Sequence, residues 1–176
     1  MKTLTLFFLI VFTTVLTVNA QITEGNWMVG GTGNFYSSQL KDNNMTSNGI
    51  GLELRPNLGF FIIDKFALGV TPLFVYTKAQ DGNSAISYGI GPYVRYYFLK
   101  PENRVNVLTH VGYTFYGNDN SNEKNTALDF KAGPVLFFNS SVALEMTLNY
   151  NLNKFATSTK YNIFSLGLGF QIHLEK

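Results

Sequence analysis

The chain has 176 residues, of which 14% are charged and 15% aromatic, with 16 Phe, 10 Tyr, a formal net charge of +2 and no cysteine. A soluble domain typically carries about 25% charged residues, so this composition is poor in charge and rich in rings. The near-neutral balance gives no electrostatic case for nucleic acid or an acidic partner, and the missing cysteines exclude a disulfide framework.

The N-terminus pairs Met1-Lys2 with an apolar run from Leu4 to Val18 and the small residues Val18-Asn19-Ala20. A charged n-region, an apolar core too short to span a bilayer and a small-residue site predict a Sec-type signal peptide over 1–20, cleaved after Ala20. One domain, 21–176, follows by length. No later stretch is apolar for eighteen residues, so a transmembrane helix is not predicted there.

Eight strand candidates then succeed one another without a helical segment. They are 26–37, 49–63, 66–78, 85–99, 105–117, 126–138, 142–152 and 161–174. Side chains of a strand point alternately to its two faces, and the period is two almost everywhere in the eight, weakest in the first. In the seventh, Val142, Leu144, Met146, Leu148, Tyr150 and Leu152 oppose Ala143, Glu145, Thr147, Asn149 and Asn151. In the eighth, Phe164, Leu166, Leu168, Phe170, Ile172 and Leu174 oppose Ser165, Gly167, Gly169, Gln171 and His173. Each run reaches at least the roughly nine to eleven residues a tilted strand needs to cross hydrocarbon.

The connections alternate in length. Short ones (64–65, 100–104, 139–141) follow strands two, four and six, and longer ones rich in Asn, Ser, Asp and Lys (40–48, 79–84, 118–125, 153–160) follow the odd strands. Strands two, four and six also repeat a proline, an outward apolar residue two positions on and an aromatic four on, at Pro56/Phe60, Pro92/Tyr96 and Pro134/Phe138. These rings, with Trp27 and Phe66, are expected to form an interfacial girdle at the short-turn end. Proline removes a ladder donor, so a bulge or a locally broken ladder is expected at Pro56, Pro72, Pro92 and Pro134.

Alternation alone suits both a membrane barrel and a soluble ligand-binding barrel with its apolar face inward. The polar face decides between them. It holds glycines such as Gly51, Gly59, Gly69, Gly89, Gly91, Gly133, Gly167 and Gly169 with a few single charges, not the Lys, Glu and Thr that bulk water would favour. The reading is an all-β fold, an eight-stranded antiparallel up-and-down transmembrane β-barrel with its apolar faces toward lipid. Its lumen should be filled by side chains. The inward charges Glu53, Asp129, Glu145, Arg55, Arg95 and Lys131 balance, and because buried charges must be paired they are expected to form one connected salt-bridge network.

His110 and His173 lie on separate strands, neither with a Ser or Asp two positions away on its face, so no nucleophilic triad is visible. Two His without Cys make no adequate transition-metal set. Gly30-Gly31-Thr32-Gly33 lacks the lysine and following helix of a phosphate loop. No cofactor, metal or enzymatic activity is expected.

The N-terminal signal, the eight alternating strands, the downward strands of the Gly91–Phe98 kind and the last strand resemble the bacterial outer-membrane β-barrel family typified by OmpX and the barrel of OmpA. The resemblance spans 21–176. It implies residence in the bacterial outer membrane, outer-membrane lipid as surroundings, and a monomer with a structural or surface-interaction role. The last strand also resembles the signal read by the barrel-assembly machinery, with Ser165, Gly167, Phe170 and Ile172 in the matching positions; this chain ends Leu174-Glu175-Lys176 where such strands often end on an aromatic. A narrow or gated porin-like channel and a soluble secreted ligand-binding barrel are the alternatives.

Overall fold

A computed structural model describes residues 22–42, 45–79, 82–119, 121–155 and 160–175. The signal-peptide segment 1–20 lies outside them. The strands are β1 (Trp27–Asp42), β2 (Met45–Ile63), β3 (Phe66–Ala79), β4 (Ser84–Tyr97), β5 (Val105–Asn118), β6 (Ser121–Phe137), β7 (Val142–Lys154) and β8 (Lys160–Leu174). Each pairs antiparallel with its sequence neighbours, and β8 returns to β1 to close the barrel. The apolar faces are the exposed ones on every strand, as with Leu52, Val70, Ile90, Val107, Phe130, Leu148 and Leu168. A soluble ligand-binding barrel requires the opposite orientation.

The ladders run further than the alternation of apolar residues does. β1 reaches Asp42, β2 begins at Met45, and β5 and β6 stay paired out to Asn118 and Ser121. Much of the expected connections 40–48 and 118–125 is therefore strand. Ladder bonds need an extended backbone and not apolar side chains, so pairing continues where the lipid-facing pattern has stopped.

All four strand prolines sit at a gap in one ladder. The β2–β3 register passes from Leu54↔Phe74 directly to Leu58↔Val70, which leaves Pro56 and Pro72 facing each other across the gap. The β4–β5 ladder breaks beside Pro92, between Ile90↔Phe115 and Tyr93↔Gly112. The β6–β7 ladder breaks beside Pro134, between Ala132↔Leu148 and Val135↔Glu145. Each proline keeps its partner on the other side: Pro56 faces Gly31, Pro72 faces Ile90, Pro92 faces Val70 and Pro134 faces Val107. Register is unchanged across each gap, so these are local breaks and not bulges; the register shifts lie at Phe61/Ile63 and Tyr116/Asn118. Glycines precede two of the prolines for a steric reason. A Cβ on Gly91 would stand 2.7 Å from the Thr114 Cα, and one on Gly133 would stand 2.9 Å from the Thr147 Cα.

At the short-turn end, Lys65 takes a left-handed φ of 67° to turn β2 into β3. Asn106, fully buried, ties the β4–β5 turn by accepting from Leu99 N and Val107 N at 2.9 and 2.8 Å. Asn139 Oδ1 accepts from Ser141 N and Val142 N at 2.8 and 2.7 Å in the β6–β7 turn. The expected girdle is here: Trp27 packs on Phe60 with ring centroids 5.1 Å apart, Phe66 pairs with Tyr96, and Phe138 is exposed.

Candidate functional site

The lumen is built in three levels, because each strand contributes an inward residue at every second position. The lowest level, at the short-turn end, is apolar. Met28, Phe61, Ala67, Tyr97, Leu108, Val135, Phe137 and Ala143 form a buried cluster, and Ile22 joins it from below. The segment ahead of β1 is laid across the opening by backbone bonds, with Gly25 N donating to Phe61 O at 2.9 Å and Lys65 N donating to Ile22 O at 2.7 Å. His173, fully buried, is set among three rings, with centroids 5.4 Å from Phe137, 5.9 Å from Phe61 and 6.2 Å from Tyr97. This level is a plug.

Above it lies a buried ion pair. Arg95 Nη1 donates to Glu145 Oε1 at 2.6 Å, with side-chain exposures of 3% and 7%. The pair rests on the plug through Tyr97, whose hydroxyl is 3.3 Å from Arg95 Nη1 and donates to Glu145 Oε1 at 3.4 Å. Gln171 Nε2 donates to the other carboxylate oxygen at 3.3 Å. Tyr93 lies under the guanidinium at 5.7 Å and stacks on His110 at 4.7 Å. A cation over an aromatic face gains electrostatic stabilisation without consuming a hydrogen bond.

The third level carries the other charges. Arg55 Nε donates to Glu53 Oε1 at 2.7 Å, a contact between positions i and i+2 on one strand face. Arg55 Nη1 also faces Asp129 Oδ1 at 3.6 Å, a charge contact too long for a hydrogen bond. Asp129 is held further by Thr114 Oγ1, which donates to Oδ2 at 3.3 Å. Five of the six inward charges thus stand in two separate groups, Arg95–Glu145 and Glu53–Arg55–Asp129, and not in one connected network. Lys131 lines the lumen between them and has no ion pair among the described residues.

Above the plug the lumen is not filled by side chains as expected: it holds a cavity of about 520 Å³, bordered by Arg95, Glu145, Glu53 and Arg55 and by Thr32, Asn34, Asn149, Asn151 and Ser165. Of the residues resembling an assembly signal, Ser165 and Gly167 face this cavity, while Phe170 and Ile172 face outward and pair with Gly31 and Val29. Among the described residues no group of three or more His, Cys, Asp or Glu is placed to hold a metal ion.

The plug rings Phe61, Tyr97 and Phe137 are not among the residues singled out from the sequence. The available signal was positional: each is an inward aromatic at the short-turn end of an even-numbered strand. That Ile22 and Met28 would complete the plug carried no local signal.

No family model matches the chain, and no curated protein matches it either. Solved structures do. The crystal structure of Neisserial surface protein A (NspA) superposes with a TM-score of 0.58 at 13% identity, over 87% of this chain and 98% of that one. The outer membrane protein OprG from Pseudomonas aeruginosa superposes with a TM-score of 0.54 at 12% identity, over 89% of this chain and all 100% of that one. At such identities the likeness is one of fold. With its eight-strand closure, apolar exterior and inward-facing charged and polar side chains above an apolar plug, the chain has the fold of the eight-stranded outer-membrane β-barrels.

Proposed function

We propose that this is an integral protein of the bacterial outer membrane with a structural or surface-interaction role, a monomeric barrel that does not conduct. The observation that carries the reading is the lumen: an apolar plug sealed from below by Ile22, with an ion pair buried directly on top of it. A porin-like channel needs a continuous water path, and here the route past Phe61, Tyr97, Phe137 and His173 runs through close-packed rings. Placement in the membrane follows from the exterior, where an aromatic girdle borders an apolar band that water would not tolerate at this extent. Sec-type export and insertion by the barrel-assembly machinery through β8 belong to the same proposal.

Two measurements test it. On fractionation the protein should sediment with the outer membrane and show heat-modifiable gel migration; recovery from the soluble periplasm without detergent rejects the membrane placement. In planar bilayers it should be electrically silent. Reproducible openings from the unaltered protein reject the sealed-lumen reading and install the gated channel in its place.

A further inference from the structure

The barrel wall is not uniform. β1 and β8 are paired only from Trp27↔Leu174 to Gly31↔Phe170, five rungs at the short-turn end, although β1 continues to Asp42 and β8 begins at Lys160. Among the described residues no rung joins them above that point. Gly31, the last paired residue of β1, has a φ of +152°, a conformation that side-chain-bearing residues rarely adopt. A Cβ there would also stand 2.6 Å from the Arg55 carbonyl oxygen and 2.8 Å from the Pro56 Cα. The glycine-rich stretch Gly30–Gly33 is thus where β1 bends away from β8.

Packing and exposure report the same gap. A Cβ on Gly33 would meet only Leu54 and Glu53, both on β2, and nothing of β8. Leu166 is 81% exposed, Phe35 73% and Phe164 69%, against 51% for Leu148 in mid-β7 with both neighbours in place. Asn34, which points inward by parity, is itself exposed. The lumen cavity borders this seam, for its lining includes Thr32 and Asn34 on one side and Gly167 and Leu168 on the other.

We infer that the β1–β8 seam above Gly31 is a lateral portal through which a single-chain anionic amphiphile, such as a long-chain carboxylate, passes its head into the lumen from the membrane. The seam presents apolar Phe35, Phe164, Leu166 and Leu168 outward, suited to an alkyl chain. Behind it the cavity is lined by three bases and two carboxylates, Arg55, Arg95 and Lys131 against Glu53 and Glu145. Both carboxylates are engaged by arginines, and Lys131 is the base with no ion pair among the described residues. An anionic head supplies the missing partner. A volume of about 520 Å³ falls within the roughly 300–1,000 Å³ range of small-molecule sites.

The inference rests on the membrane placement, and its test separates the two. The chain has no cysteine, so engineered pairs are unambiguous. Val29→Cys with Ile172→Cys, across a formed rung, should oxidise to a disulfide. Gly33→Cys with Leu168→Cys, which extending the same register would set opposite each other, should stay reduced, since Cα atoms more than about 7 Å apart cannot be bridged. Palmitate bearing a photoreactive diazirine, added to the membrane-inserted protein, should label seam and cavity residues. Its methyl ester should label about tenfold less, and Lys131→Gln should weaken palmitate labelling about tenfold, the loss expected for one hydrogen bond to a charged group. Equal labelling by acid and ester, or a Gly33/Leu168 cysteine pair that oxidises as readily as the lower one, overturns the portal while leaving a membrane-inserted barrel. Heat-modifiable migration verifies that Lys131→Gln is folded; should it not fold, the acid–ester comparison on the unaltered protein decides.

Discussion

Arg95 on β4 and Glu145 on β7 meet at 2.6 Å although fifty residues separate them, and both are nearly excluded from solvent. Their strands are not neighbours, so the contact spans the lumen. A buried pair contributes little net stability over an apolar substitute, but a broken one leaves a charge without compensation. Glu145→Leu should therefore cost about 3–5 kcal/mol, read as a lowered urea midpoint in detergent micelles. Adding Arg95→Met should restore most of the loss. An unchanged midpoint in the single variant removes the pair from the account of stability.

The Glu53–Arg55 contact offers an internal contrast. Its side chains are 21–22% exposed and adjacent on one strand face. Partly solvated pairs of this kind contribute no more than about 1 kcal/mol, so Glu53→Gln should shift the midpoint far less than Glu145→Leu. A larger effect at Glu53 would invert the ranking that burial predicts.

Lipid contact is tested at Leu148, in the middle of the outward face of β7. Leu148→Arg should cost about 2–4 kcal/mol on folding into a bilayer, the penalty for a cation at mid-depth on a barrel exterior. In a water-facing barrel the same change at an exposed position would be close to neutral. Folding yield into lipid vesicles, followed by gel mobility, distinguishes the two.

The plug makes a prediction about conductance. Phe61→Ala combined with Phe137→Ala removes two rings that pack on His173 and Tyr97. The variant should lose several kcal/mol of stability, at about 3–5 per buried ring, and the surviving folded fraction should show single-channel openings that the unaltered protein lacks. A folded but silent variant would mean that the Arg95–Glu145 level closes the lumen without the rings.

Close strand approach is tested at Gly133, where a Cβ would run into the Met146 carbonyl oxygen on the adjacent strand. Gly133→Ala should destabilise by about 1–3 kcal/mol, the usual cost of overpacking. Gly82 separates backbone strain from clash, because a Cβ there would meet nothing within 4 Å while the φ is +89°. Gly82→Ala should cost only the strain, about 1 kcal/mol. Urea midpoints of the two variants, measured side by side, check the ranking.

By itself the sequence determined what is local. The period-two alternation set the number of strands, the face each would turn outward and the prolines at which ladders would fail, because side-chain direction in a strand depends only on parity. The Glu53–Arg55 contact is local in the same sense, two positions apart on one face, although the charges were expected as a single network. Tertiary structure decided the rest. Which base meets Glu145 depends on how strands four and seven are placed across a closed ring, and six balanced charges are consistent with many pairings. The extent of a ladder is set by backbone geometry and not by hydropathy, so strands outran their apolar pattern at Asp42 and Ser121. The seam between β1 and β8 joins the two ends of the barrel sequence. How far it closes depends on Gly31 bending one strand away from the other, a conformation that glycine permits and no local pattern requires.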